Sequence, residues 1–361
     1  MGDQMGIADS IPNAANSLEG VELPGGWTIH RKRDIDPDAT GGNFGICYFA
    51  SRPDGTQGFV KVLNIARAFI GGNFVDNMRA LTNAFAAERD LCLMCGERRL
   101  SRVVVAIDHG EIFIDGFGVL GSVSYIVFEL ATHDVRKALS MSTDIDDVVR
   151  LEYAHSMALG LRQLHSIHVA HQDVKPSNFL VFPNDSGGRS VGKLADLGQA
   201  HRSGHPSPLD SAIMPGDPAY APPEQLYRFA HPDERTRREA ADLYQLGSLI
   251  SFTFTAWTMN ALLAYELAPE LHWARFGDSF DAAIPYLEDA FAGALEHIAT
   301  RFPAALTGSL TPMVEYLCEP DPTKRGHPVT RRQAHGSPYA LDRVVSALDL
   351  LARRRALGTS S

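Results

Sequence analysis

The chain has 361 residues, 45% hydrophobic and 21% charged, enough to bury the core of one large or two modest domains and ordinary for a globular protein. A formal net charge of −10 argues against nucleic acid or an anionic membrane as a partner, and four cysteines are too few for a disulfide framework. Basic residues are 27 Arg and six Lys, so a lysine inside a motif carries more information than usual.

The opening MGDQMGIADSIPNAANS has no basic start and no apolar run, which argues against a signal peptide, and Gly6 stands where a myristoylation pattern needs Ser or Thr. A reducing cytoplasm is the expected location. Residues 1–24 are polar, rich in Gly, Asn and Ser, and read as a mobile tail. From Gly26 to Val62, β-rich runs alternate with turns: GWTIH, ATGGNFG, ICYFA, RPDGTQG and FVKVL.

A helix follows. Met78, Leu81, Phe85, Glu88, Cys92 and Cys95 are spaced 3, 4, 3, 4, 3 and trace one helical face. Glu88 is the only charge on that stripe, and a carboxylate facing a core is costly unless it meets a cation. The spacing therefore calls for a basic partner. Cys92 and Cys95 form a CxxC, but with no second pair they read as small hydrophobes of the same stripe. Two strands are expected next, VVVAI (103–107) and SYIVFEL (124–130).

Beyond Ala131 the pattern turns helical, first over Asp146 to His165. NFLVF and GKLADLG are β-like pieces around a turn, and 199–218 reads as a long surface loop. The 23 residues between Asp242 and Glu266 carry no charge, long enough to span a membrane. Their Gln, Asn, Ser and Thr content and the lack of a flanking basic cluster favour a buried helix.

Chemistry concentrates in His171-Gln172-Asp173-Val174-Lys175-Pro176-Ser177-Asn178, followed by Asp196-Leu197-Gly198. The first resembles the catalytic loop of protein kinases and the second their DFG motif, with Leu for Phe. Phosphoryl transfer needs such a mixture: a carboxylate for the attacking hydroxyl, a cation for developing charge and oxygen ligands for a metal. The resemblance implies that Asp173 deprotonates the substrate, Lys175 steadies the transferred group, and Asn178 and Asp196 hold Mg2+. Lys61 in FVKVL matches the lysine that grips the nucleotide phosphates, and its family partner matches Glu88. Two independent routes thus select the same glutamate.

Thr40-Gly41-Gly42-Asn43-Phe44-Gly45 is similar to the Gly-rich loop over the phosphates, with Gly42 and Gly45 in its second and third glycine positions and Thr40 in place of the first. The resemblance also implies Cys47 beside the adenine, Phe128 at the gate of the back pocket, Glu129 to Ala131 as the hinge, and Leu180 under the base. Pro222-Pro223-Glu224 matches the end of the activation segment, Arg325 the arginine paired with that Glu, and Asp242 the aspartate bracing the catalytic loop. Seven motifs in order cover about residues 27 to 330.

Four departures stand out. Gln172 replaces the arginine that receives a loop phosphate in many kinases, so control by loop phosphorylation is not expected. Asp217 replaces a threonine, where it is placed to accept from Lys175 while repelling Asp173. Phe59, on the Lys61 side of its strand, replaces a small residue above the adenine. Residues 268–302 fit no familiar segment.

The expected fold is α+β and two-lobed: a tail (1–24), a small β-rich lobe (25–131), a larger helical lobe (132–356) and a short tail (357–361). The expected function is Ser/Thr protein kinase, moving the γ-phosphate of ATP with Mg2+ to proteins, itself included. A pseudokinase acting as a nucleotide-gated binding module is the alternative. A small-molecule kinase of the aminoglycoside-phosphotransferase type ranks last, because those lack the PPE segment and its Arg.

Overall fold

Two units emerge from the computed structural model, which describes residues 11–34, 45–70, 72–141, 145–183, 190–205, 210 and 212–358. The smaller comprises the chain up to Arg99 with 104–130, and the larger 100–103 with the rest.

The small unit is a six-stranded antiparallel sheet in the order β1-β2-β3-β4-β6-β5. Its strands are β1 (Glu22–Leu23), β2 (Trp27–Lys32), β3 (Gly45–Ser51) and β4 (Gln57–Leu63); after helix α1 (Phe74–Glu97) come β5 (Ala106–Phe113) and β6 (Ser122–Glu129). Alternation splits the sheet into two faces. Ile46, Tyr48, Val60, Val62, Tyr125 and Val127 line one core; Cys47, Phe49, Phe59, Lys61 and Phe128 share the other face through the pairs Cys47–Lys61, Phe49–Phe59 and Phe59–Phe128.

The expected tail through residue 24 is corrected here. Ala14, Ala15, Leu18 and Leu23 are buried against Trp27, Tyr48 and Tyr125, and the Tyr48 hydroxyl donates to the Ala15 carbonyl at 2.6 Å. The sheet's apolar outer face needs a cover, and each large side chain laid on it contributes about 1.5–3 kcal/mol. A second correction concerns 103–105. The strand begins only at Ala106, while Val103 makes a lone parallel bridge to Leu194 in the larger unit.

Helix α1 starts at Asn73, whose side chain accepts from the Val75 amide, and Asp76 favours its positive end. Met78 and Leu81 are half-buried, whereas Phe85, Glu88, Cys92 and Cys95 are buried, so the stripe deepens toward the C-terminus.

The larger unit begins with β7 (His133–Asp134), α2 (Val135–Met141), α3 (Asp147–Ser166), β8 (Val169–Ala170), β9 (Phe179–Phe182), β10 (Val191–Leu194) and β11 (His201–Arg202). These strands form two small sheets, β10-β9-β7 and β11-β8. Then follow α4 (Pro223–Leu226), α5 (Glu234–Thr255), α6 (Met259–Glu266), α7 (Phe280–Ala299), α8 (Ala304–Cys318), α9 (Pro328–Arg331) and α10 (Asp342–Ala356).

The uncharged run covers the C-terminal half of α5 and α6 up to Tyr265, two helices bent by 88° where Ala256 turns left-handed (φ 63°). Residues 240–251 of α5 are all buried, as expected of a core helix, and among the described residues no single helix is long and apolar enough to cross a membrane. Within 268–302, Trp273, Phe276 and Phe280 pack their rings around Tyr227 just after α4. That segment is an aromatic buttress for the PPE turn.

Candidate active site

In the small unit, Lys61 Nζ lies 2.6 and 2.8 Å from the two Glu88 oxygens. Their side chains are 15% and 6% exposed, so the contact is largely shielded from water and worth more than a surface pair. The stripe's demand for a cation is met by the lysine that motif spacing selected. Gly45 starts β3, and a Cβ there would stand 2.9 Å from the Val62 carbonyl and 3.0 Å from Lys61 Cγ, so glycine clears the lysine stem. Cys47 pairs in register with Lys61 and is half-buried. Gly42 lies outside the described residues.

Phe59 is on the Lys61 face, as alternation requires. Its ring meets Phe49 edge-on at 5.9 Å, with the Arg31 guanidinium 4.2 Å from the Phe49 centroid and that of Arg33 5.8 Å from Phe59. Phe128 is buried and pairs with Phe59; Glu129 pairs through its backbone with Gly58. Ala131 and Leu180, both half-buried, belong to the larger unit, Leu180 in β9 opposite Lys193.

In the larger unit the 171–178 loop draws several groups together. Asp173, Lys175 and Asn178 are all buried. Lys175 Nζ is 2.9 Å from Asp173 Oδ2 and 3.6 Å from Asp217 Oδ2. The Asn178 amide donates to the Asp173 carbonyl (2.9 Å) and to Asp173 Oδ2 (3.0 Å). The expected repulsion between Asp217 and Asp173 is offset twice: Lys175 stands between the carboxylates, and the Asp217 backbone N–H donates to Asp173 Oδ1 at 2.8 Å. Gly216 permits that approach, because a Cβ would run into the Gln172 carbonyl.

Oxygen donors suited to Mg2+ occur on adjoining segments of this unit. Asn178 turns its N–H groups toward Asp173, which leaves Oδ1 as its acceptor, and its carbonyl accepts from Ala195 N at 2.8 Å. Asp196 follows directly, exposed and left-handed (φ 61°), a conformation uncommon outside glycine and often met at functional turns. The donor set fits the ion.

Asp242 supports the loop from beneath. Fully buried, it accepts from His171 N (2.7 Å), Gln172 N (2.8 Å), Gln172 Nε2 (3.2 Å) and His165 Nε2 (2.9 Å). His171 accepts at Nδ1 from Asp173 N (3.3 Å), so its Nε2–H donates to the Ala195 carbonyl at 3.0 Å. Gln245 adds two bonds, accepting from Val174 N (3.0 Å) and donating to the Gln172 carbonyl (3.1 Å).

Below the loop, Glu224 and Arg325 make a buried two-pronged pair at 2.7 and 2.6 Å. Burial alone lowers the Arg325 pKa, but the Glu224 carboxylate outweighs it and holds the guanidinium above its ordinary value.

Gln172, which stands in place of an arginine, still has a cation beside it: Arg238 NH1 donates to Gln172 Oε1 at 3.2 Å. Arg238 precedes Asp242 by one turn of α5, and that i,i+4 spacing was the available signal. Gln245, one turn from Ala241 on the same helix, was hidden inside an apolar run.

Residues 107–339 match the protein kinase domain family. Among curated proteins the chain is 27% identical over 126 residues to an Aurora kinase of Debaryomyces hansenii, covering 35% of this chain and 28% of that protein. It is 29% identical over 121 residues to the serine/threonine-protein kinase SBK1 of Danio rerio, covering 34% and 26%. With mitogen-activated protein kinase 5 of Arabidopsis thaliana it shares 24% identity over 224 residues, covering 60% and 55%. The chain thus spans between 26% and 55% of the length of these relatives. The family match begins after α1, so the Lys61–Glu88 pair rests on geometry that is independent of it. With 233 of 361 residues matched and the family's ion pairs built in both units, the chain belongs to the protein kinase domain family.

Proposed function

We propose that the chain transfers the γ-phosphoryl group of ATP to Ser or Thr hydroxyls of a protein substrate, its own loops included. The observation that carries this reading is the buried trio of Asp173, Lys175 and Asn178, with Lys175 Nζ 2.9 Å from Asp173 Oδ2. A carboxylate held by an ammonium and an amide is aimed to take a proton from an incoming hydroxyl, while the ammonium faces the charge that develops on the transferred group. Lys61, oriented by Glu88, would hold the nucleotide phosphates. Mg2+, held by Asn178 Oδ1 and Asp196, would supply charge neutralisation at the phosphates.

The test is phosphate transfer from radiolabelled ATP to generic protein substrates, parent against Asp173→Asn. The amide keeps the shape but cannot take a proton, so transfer is expected to vanish in a variant whose circular dichroism shows it to be folded at the assay temperature. A folded Asp173→Asn chain working at the parental rate would sink the assignment. The Asp217 carboxylate near Lys175 favours one second reading, a nucleotide-gated binding module without transfer. ATP binding by a parent chain that transfers no phosphate would select it.

A further inference from the structure

Arg238 is 3% exposed on α5, and burial pulls its guanidinium pKa below the ordinary arginine value. A buried cation is tolerated only when its donors and its charge are matched. Part of the match is Gln172 Oε1, 3.2 Å from NH1. A second part comes from the loop after β11: NH2 donates to the Asp210 carbonyl at 3.0 Å, with Asp210 Oδ1 3.9 Å away, while the buried Nε has no hydrogen-bond partner among the described residues. That same Oδ1 is 2.6 Å from His201 Nδ1 in β11. His201 Nε2 faces Glu234 Oε1 at 3.2 Å, an ion-pair distance without the direction of a good hydrogen bond. Asp210 is therefore held by a guanidinium on one side and an imidazole on the other.

At the opposite end of this chain of contacts sits the reactive loop. Gln172 has a left-handed backbone (φ 68°), a conformation that costs energy in a residue with a side chain. Its side-chain amide donates to the Arg238 carbonyl (2.9 Å) and to Asp242 Oδ1 (3.2 Å), while its oxygen accepts from Arg238. Both N–H donors and the carbonyl oxygen of this side chain are thus engaged in keeping the turn that delivers Asp173. Arg238 touches both Gln172 and Asp210.

We infer that Asp210 is a built-in anionic anchor that holds β11 through His201 against Arg238 of α5, and that Arg238 and Asp210 act as positioning residues for Asp173 through Gln172, with no phosphate required. This deepens the phosphotransfer reading above and rests on it for the activity arm of its test. A carboxylate supplies there what a phosphorylated side chain supplies elsewhere: a negative charge that orders a loop against buried donors.

The experiment compares the full-length parent with Asp210→Ala, Asp210→Asn and Asp210→Glu. Backbone hydrogen exchange is followed over 199–205 and 212–217, alongside kcat and the KM for ATP. Asp210→Ala and Asp210→Asn are expected to exchange faster in both stretches and to lose roughly tenfold or more in kcat with KM for ATP unchanged. Asp210→Glu, which restores the charge, is expected to recover most of both. Phosphatase treatment of the parent should change neither. A general loss of stability would raise exchange throughout the chain and would not be repaired by glutamate. Parental exchange in Asp210→Ala overturns the anchor, and parental kcat in that variant overturns the positioning role. Exchange reads the anchor even in a chain that transfers no phosphate, so failure of the phosphotransfer reading and failure of this one are told apart.

Discussion

Replacing Arg325 with methionine keeps much of the side chain's volume and removes its charge. Arg325 is fully buried; besides Glu224 it donates to the carbonyls of Glu319 (2.7 Å), Ala240 (3.2 Å) and Pro320 (3.0 Å), and it lies 5.0 Å from the Tyr244 ring centroid. The substitution strands Glu224, 3% exposed, without its counter-charge and removes the donor from three carbonyls. Breaking one side of such a pair costs about 3–5 kcal/mol. In a domain of this size each kcal/mol moves the melting temperature by about 2–4 °C, which gives a fall of about 6–20 °C. Differential scanning calorimetry of Arg325→Met, Glu224→Leu and the double variant reads it directly. The double variant buries no lone charge, so it should be markedly more stable than the sum of the single losses requires. A fall below about 2 °C for Arg325→Met, or strict additivity in the double variant, would refute the reasoning.

Lys61→Met should weaken ATP binding and lower the melting temperature together, because it leaves Glu88 unpaired on an apolar stripe; unchanged values of both would exclude the pairing. Thiol labelling of the native chain should reach Cys47 alone. Burial pushes the Cys95 thiol up to about 12 and Cys318 higher still, and Cys92 is buried with them, so a Cys47→Ser chain that still labels before denaturation contradicts the burial of these three. Burial lowers the pKa of His155, so below the unfolded value of about 6.5 the unfolded chain takes up its proton first. Stability should therefore be at its full value above that pH and decline as the pH falls toward the folded pKa. In His155→Gln the decline should be shallower, and an identical pH profile would remove His155 as its cause.

Local spacing carried much of the site. The 3,4 repeat on α1 singled out Glu88 as a carboxylate needing a cation, because helical periodicity assigns a face before any partner is known. Strand alternation put Phe59 on the same side as Lys61 for the same reason. The order of His171-Gln172-Asp173, Asp196 and Pro222-Pro223-Glu224 marked the segments proposed to carry the chemistry, since each is a short contiguous set. The sequence by itself thus determined which residue types stand on which face and in which order.

Partners distant along the chain were decided only by the tertiary structure. Residues 11–23 look like a polar tail until Ala14, Leu18 and Leu23 are seen covering the sheet, for three small or isolated apolar residues make no periodic signal. Arg238 meets Gln172 across 66 residues, and Asp210 meets Arg238 across 28. The i,i+4 spacing of Arg238 and Asp242 places the arginine on the right helix face, but no spacing names Gln172 or Asp210 as its partner. The reach of a long side chain depends on where two backbones come to rest, and packing settles that for the whole unit at once.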